Sequence, residues 1–179
     1  MDITETPWTS RGSAPVELVQ VPAKQIHAMA GGSAVAGLSP FLGVPESRWL
    51  WQIRSAQISA DPVDHPWITR LIVDTTTGTT VGLAGFHGPP DDRGMVEIGY
   101  RVDPAWQRRG YARAALEILI FVAQTHPRVR VLRATISPDN AASIALVAQY
   151  GFRVVGEQWD EQDGLETIYE IDAAAPLST

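Results

Sequence analysis

The stretch VDPAWQRRGYARAAL, residues 102–116, joins the end of a strand to the start of a long apolar helix. A plain connection of that kind needs a cap and at most a glycine. This one holds two arginines, a glycine and a small residue, the make-up of a turn that faces an anion. A helix N-terminus carries unpaired N–H groups and about half a positive charge, so a phosphate binds there readily. Gly110 lets backbone come close to a ligand, and Ala112 keeps the next contact free of bulk. Arg108, Arg109 and Arg113 add positive charge to an otherwise acidic chain. Taken by itself, the segment 107–112 also fits a loop with solvated arginines.

Working outward, YARAALEILIFVAQTH (111–126) is a strongly apolar helix, with Ala112, Leu116, Leu119 and Ala123 on one side. Upstream, two β-branched runs (67–74 and 80–87) flank TTTGT, the signature of a hairpin, and MVEIGYRV (95–102) supplies a third antiparallel strand. Downstream, VRVLRATI (129–136) reads as a buried strand, and PDNAASIALVAQYGF as a capped helix stopped by Gly151. A second hairpin follows around DEQDG. Before residue 65, VELVQV (16–21) can form a strand. PAKQIHAMAGG is a short helix, and PESRWLWQIRSAQIS is a longer one with Trp49, Ile53 and Gln57 on one face. This order predicts a single α/β domain over 16–179, preceded by a loose arm over 1–15. Its mixed, mostly antiparallel sheet has about seven strands flanked by helices.

Composition narrows the chemistry. The chain has 179 residues, enough for one stable core, and 45% of them are hydrophobic. It contains no cysteine, so disulfides, thiolate zinc sites and a cysteine acyl-enzyme are excluded. The four histidines show no metal-ligand spacing, and no metal is expected. The polar, acidic N-terminus is unlike a signal peptide, and no apolar run reaches the roughly 20 residues that span a bilayer. The expectation is therefore a cytoplasmic protein without a membrane partner. A net charge of −6 argues against nucleic acid as partner and suits a cationic substrate.

With this frame around it, the turn resembles the pyrophosphate-binding signature of the GCN5-related N-acetyltransferase (GNAT) superfamily, matched by Gln107, Gly110 and Ala112. SPDNAASIALVAQYGF (137–152) resembles the family's second motif, an asparagine near a helix start followed by a Gly-Phe step. EIGY (97–100) is similar to the branch that includes the ribosomal-protein N-terminal acetyltransferases. The likeness runs from about residue 16 to 171, strongest over 80–156. It implies acetyl-coenzyme A as donor, its pyrophosphate held by N–H groups from Arg108 to Ala112, with Gln107, Tyr111 and Arg113 alongside. The pantetheine arm would lie against Tyr100, Arg101 and Val102, where that strand splays from 129–136, and Asn140 would bond the arm. Asn140 also fits a plain helix cap for Ser143.

Transfer to an amine needs a neutral nitrogen. A lysine side chain, with pKa near 10.4, costs roughly 4–5 kcal/mol to deprotonate at neutral pH, whereas an α-amine near 7.7–8.0 costs about 1. Glu97 is the candidate base: a mid-strand carboxylate is expensive to bury unless it lines a wet cleft, and Gly99 clears space on the same face. Pairing with Arg101 or a hairpin neighbour is the other reading of Glu97. His87 is a second candidate base, or an ordinary strand-end residue. For the acid that protonates the thiolate, many members place a tyrosine seven residues after the motif asparagine. Val147 stands there, which departs from the pattern. Tyr150, one turn on, or Ser143 could serve, although Tyr150 also fits the core. Thr135 stands where the ribosomal-protein members have a glutamate, a second departure.

The acceptor is an amine on a small molecule or a peptide N-terminus. Asp160, Glu161 and Asp163 at the hairpin tip and the tryptophans at 49, 51, 67 and 159 are candidates to receive it, or form a solvated tip. Direct transfer in a ternary complex is the expected mechanism. A coenzyme A-binding module without catalysis is the alternative, since Val147 removes the usual acid. The free edge of the terminal hairpin makes a homodimer a further expectation.

Overall fold

The three apolar runs between residues 67 and 102 form a meander in the computed structural model, which describes residues 3, 7–9, 15–35, 39–161 and 164–174. Their strands are β3 (Arg70–Asp74), β4 (Thr79–Phe86) and β5 (Met95–Val102), preceded by β1 (Trp8–Thr9) and β2 (Val16–Gln20). β6 (Val131–Ile136), β7 (Arg153–Asp160) and β8 (Gly164–Asp172) complete the sheet. Helices α1 (Ala23–Ala30) and α2 (Pro45–Ala60) separate β2 from β3, α3 (Tyr111–Thr125) joins β5 to β6, and α4 (Ala141–Ala148) follows β6.

Among the described residues the sheet has eight strands in the order β1-β2-β3-β4-β5-β6-β8-β7. That is one more than expected, and the extra strand is β1. Trp8, within the stretch read as a loose arm, pairs with Leu18 and is fully buried against Phe86, ring centroids 5.7 Å apart. A large indole buries enough apolar surface to pin a two-residue strand that no periodicity announces.

Every neighbouring pair is antiparallel except β5 and β6, which run parallel across the α3 crossover. That pairing covers only Met95, Val96 and Glu97, opposite Val131, Leu132 and Arg133. Beyond Glu97, β5 continues beside β4 to Val102, while β6 continues to Ile136 beside β8. The sheet therefore splits, and among the described residues the edge of β5 from Ile98 onward has no strand beside it on that side.

Two cores hold the split open. On one face Leu116, Leu119 and Ala123 of α3 pack with Ile72, Phe86, Val96 and Ile98. On the other, Ile26 and Met29 of α1 and Trp51 and Ile58 of α2 pack with Ile68, Leu71 and Leu83. The side of α2 turned to the sheet carries Trp51, Arg54 and Ile58, while Trp49 and Ile53 are exposed. The Trp51 indole N–H donates to the Leu42 carbonyl at 2.8 Å, which orients the helix.

Candidate active site

The turn after β5 is built by backbone conformation. Asp103 caps a short 3-10 turn over Pro104–Trp106 by accepting from the Ala105 N–H at 2.9 Å. The Gln107 side-chain amide then donates to the Val102 carbonyl at 3.1 Å, folding the loop back on the strand. Arg108 (φ 63°) and Gly110 (φ 88°) are left-handed, and Arg109 between them is not. Such alternation turns successive N–H groups to one side, leaving a concavity at the start of α3 of the kind that can receive an anion. A side chain is strained in this region, and Arg108 adopts it without glycine's freedom.

This concavity opens into a cleft of about 810 Å³ along the free edge of β5, between the N-terminal turns of α3 and α4. Tyr100, Arg101, Val102, Gln107, Arg108, Gly110, Tyr111, Ala112, Arg113, Asn140 and Ser143 all line it. Asn140 caps α4, its Oδ1 accepting from the Ser143 N–H at 3.1 Å. Arg113 donates to the Tyr150 hydroxyl at 3.2 Å and to the side-chain oxygen of Gln149, bracing α3 against α4. Trp106, Leu146 and Gln149 complete the wall, and the motif offered no signal for them.

Two arginine and tyrosine candidates sit elsewhere. Arg109 turns back over the Trp106 ring, 4.9 Å from its centroid, and does not line the cleft. Tyr150 is 7% exposed, and its hydroxyl donates to Glu117 at 2.5 Å. Burial and the bond to Glu117 push that phenol up to about 12.

A second, small cleft of about 130 Å³ lies on the α2 side of the sheet, lined by Arg54, Thr69, His87, Gly99 and Arg101 among others. Tyr100 and Arg101 belong to both clefts, which meet at the edge of β5 where pairing with β6 has ended. The Tyr100 hydroxyl is buried without a partner of full hydrogen-bond geometry. Burial raises its pKa, and the nearby Ser143 hydroxyl offsets part of that rise.

Glu97 lines neither cleft but lies just beneath the small one. It accepts from the Thr135 hydroxyl of β6, and its Oε1 is 3.5 Å from His87 Nδ1. The space beside Glu97 that Gly99 clears is taken by His87: a Cβ on Gly99 would stand 2.8 Å from Nε2. The sequence offers no signal for Arg54, because the buried face of α2 runs through Trp51, Arg54 and Ile58 rather than through Trp49 and Ile53. Arg54 donates to Thr69 (3.2 Å), Gln57 (2.7 Å) and the His87 carbonyl (2.9 Å). Of the acceptor candidates, Trp51 and Trp67 are core residues, and Trp49 and Trp159 are exposed outside both clefts. Asp160 and Glu161 line neither, and Asp163 lies outside the described residues.

A family model described as an Acetyltransferase (GNAT) domain matches residues 23–153. An uncharacterized N-acetyltransferase of Bacillus subtilis, YjdG, is 34% identical over 82 residues, 46% of this chain and 49% of the relative. The L-amino acid N-acetyltransferase AaaT of Escherichia coli is 30% identical over 105 residues, 53% of this chain and 65% of the relative. The chain thus spans half to two thirds of the length of the curated relatives it matches. A solved structure of Mycobacterium smegmatis RimJ in complex with a coenzyme A disulfide shares the fold, with a TM-score of 0.63 and 20% identity, over 93% of this chain and 86% of that one. The split between β5 and β6, the left-handed turn at its mouth and the matched domain agree: the chain belongs to the GNAT family of N-acetyltransferases.

Proposed function

We propose that the protein transfers the acetyl group of acetyl-coenzyme A to a primary amine, directly, within a ternary complex. The observation that carries this reading is the meeting of two clefts at Tyr100 and Arg101, one long enough for the donor and one sized for a small acceptor group. N–H groups from Arg108 to Ala112 hold the donor's pyrophosphate, with the charge of Arg108 and Arg113 behind them. Asn140 and the free edge of β5 hold the pantetheine arm. An N–H on that edge polarises the thioester carbonyl.

The proton leaves the amine into the pair formed by His87 and Glu97, whose side chains lie 3.5 Å apart beside the small cleft. Ser143 is the acid in this reading rather than Tyr150; its lining of the long cleft supports this, as does the bond of Tyr150 to Glu117. The acceptor is a small or terminal amine, in keeping with the size of the second cleft. One relative is named for L-amino acids, which puts free amino acids beside peptide α-amines in the first panel to test.

The test is calorimetric titration of acetyl-coenzyme A, and of an acetyl thioester lacking the pyrophosphate, into the wild type and Gly110→Glu. Micromolar binding of the coenzyme, lost in both the analogue and the variant, supports the donor site. A folded wild type that binds no coenzyme overturns the reading.

A further inference from the structure

Glu97 does not line the small cleft, whereas His87, 3.5 Å from its carboxylate, does. We propose that His87 is the catalytic base, accepting the acceptor amine's proton at Nε2, and that Glu97 is its positioning residue. This deepens the transferase reading above and rests on it.

Contacts to both backbone and ring fix His87. The His87 N–H donates to the Glu97 carbonyl at 2.8 Å, which extends the β4–β5 ladder by one residue past Phe86. Its carbonyl accepts from Arg54 and Gln57 of α2, both at 2.9 Å, so the backbone is held from strand and helix alike. The ring crosses Gly99, the one side chain in that row small enough to admit it. Its Nδ1 faces Glu97 Oε1 at 3.5 Å. That is long for a hydrogen bond, and such contacts tighten when a site is loaded. The Thr135 hydroxyl holds the same carboxylate oxygen from β6.

A carboxylate facing Nδ1 selects the tautomer that carries its proton there, leaving Nε2 with a free lone pair. His87 lines the small cleft and about half of its side chain is exposed, so a ligand can reach it. The charged groups around it are Glu97 from β5 and Arg54 from α2, with Arg101 of β5 across the cleft. Burial holds the imidazole below its ordinary pKa, Arg54 lowers it further, and Glu97 opposes both. Exposure of half the ring moderates the first effect without reversing its sign. The ring is therefore neutral, and able to accept a proton, at neutral pH.

The step balances as follows. An ammonium group gives one proton to Nε2, and the neutral nitrogen bonds to the thioester carbonyl carbon. The C–S bond then breaks. The nitrogen's second proton ends on the thiolate sulfur by way of the hydroxyls at the cleft junction, and the imidazolium returns its proton to water. One amide, one thiol and one released proton result.

The experiment measures kcat/KM against pH for the wild type, His87→Gln, Glu97→Gln and Gly99→Ala, with an amine the wild type acetylates. Donor affinity, read by calorimetry, serves as the control for folding. His87→Gln is expected to lose on the order of 10²-fold in turnover together with the acid limb of its profile. Glu97→Gln keeps that limb but moves it to lower pH, because the group that opposes the lowering is gone. Gly99→Ala displaces the ring and lowers turnover with donor affinity unchanged. Added imidazole restores activity to His87→Ala. Wild-type turnover and profile in His87→Gln would overturn the inference, as would a Glu97→Gln variant that loses the limb while His87→Gln keeps it. A wild type that binds donor yet acetylates no amine overturns the transferase reading, and this inference with it.

Discussion

The Tyr111 hydroxyl donates to Asp74 Oδ2 at 2.6 Å, tying the first turn of α3 to the end of β3. Asp74 also accepts from the N–H groups of Thr76 (2.8 Å) and Thr77 (3.2 Å), so one carboxylate closes a hairpin and anchors the turn that opens α3. The Tyr111 bond, with help from those N–H groups, holds Asp74 below the usual carboxylate range. The link has a pH consequence. A carboxyl whose pKa is lowered by folding stabilises the fold above its unfolded value, and that stability is lost as pH falls through the lowered one. Tyr111→Phe should therefore lower the melting temperature at pH 7 by a few degrees and matter much less near pH 2. Melting curves at the two pH values check this, and an equal loss at both would count against it.

Tyr150 ties Arg113 to Glu117 and lines neither cleft. Tyr150→Phe should leave turnover within about twofold of wild type and cost about 1–2 kcal/mol of stability, since Glu117 loses a buried donor. Denaturant titration and steady-state rates measure the two effects separately. A large fall in turnover with stability intact would restore Tyr150 as the acid.

Tyr100 is the converse case. Its hydroxyl is buried, lacks a well-formed partner and stands where the two clefts meet. Removing an unsatisfied buried hydroxyl costs no stability and can add to it. Tyr100→Phe is expected to melt at or above the wild-type temperature while turnover falls about tenfold. Unchanged turnover would place the hydroxyl outside the proton path.

Trp8 covers the guanidinium of Arg70, which lies 3.4 Å from the ring centroid and is pulled down to about 9 by burial. Trp8→Ala should cost about 3–5 kcal/mol, because it leaves a cavity and uncovers a buried cation. The long cleft proposed for the donor lies at the far side of β5, so donor affinity should not change. Denaturant unfolding and calorimetry on the same variant test both halves.

How much of this was legible beforehand depended on whether the signal was local. Gly110 announces the turn that opens α3 because backbone conformation and helix ends are set by neighbours in sequence. Asn140 and Gly151 mark the ends of α4 for the same reason. Strand β1 escaped because a two-residue strand has no period to read and depends on one indole finding Phe86. Glu97 and Gly99 were singled out as a carboxylate and a gap. That the gap holds His87 is a fact of β4 lying beside β5, which spacing along one strand cannot report.

By itself, then, the sequence determined the order of strands and helices from β2 onward, the turn at 107–112 and the absence of a thiol nucleophile, all matters of composition and short-range geometry. The tertiary structure alone decided where β5 parts from β6, that the two clefts meet at Tyr100 and Arg101, and that Arg54, His87, Glu97 and Thr135 converge from four elements. Those relations join residues up to 81 positions apart, from Arg54 to Thr135. They exist only because sheet register and helix packing bring distant segments into contact.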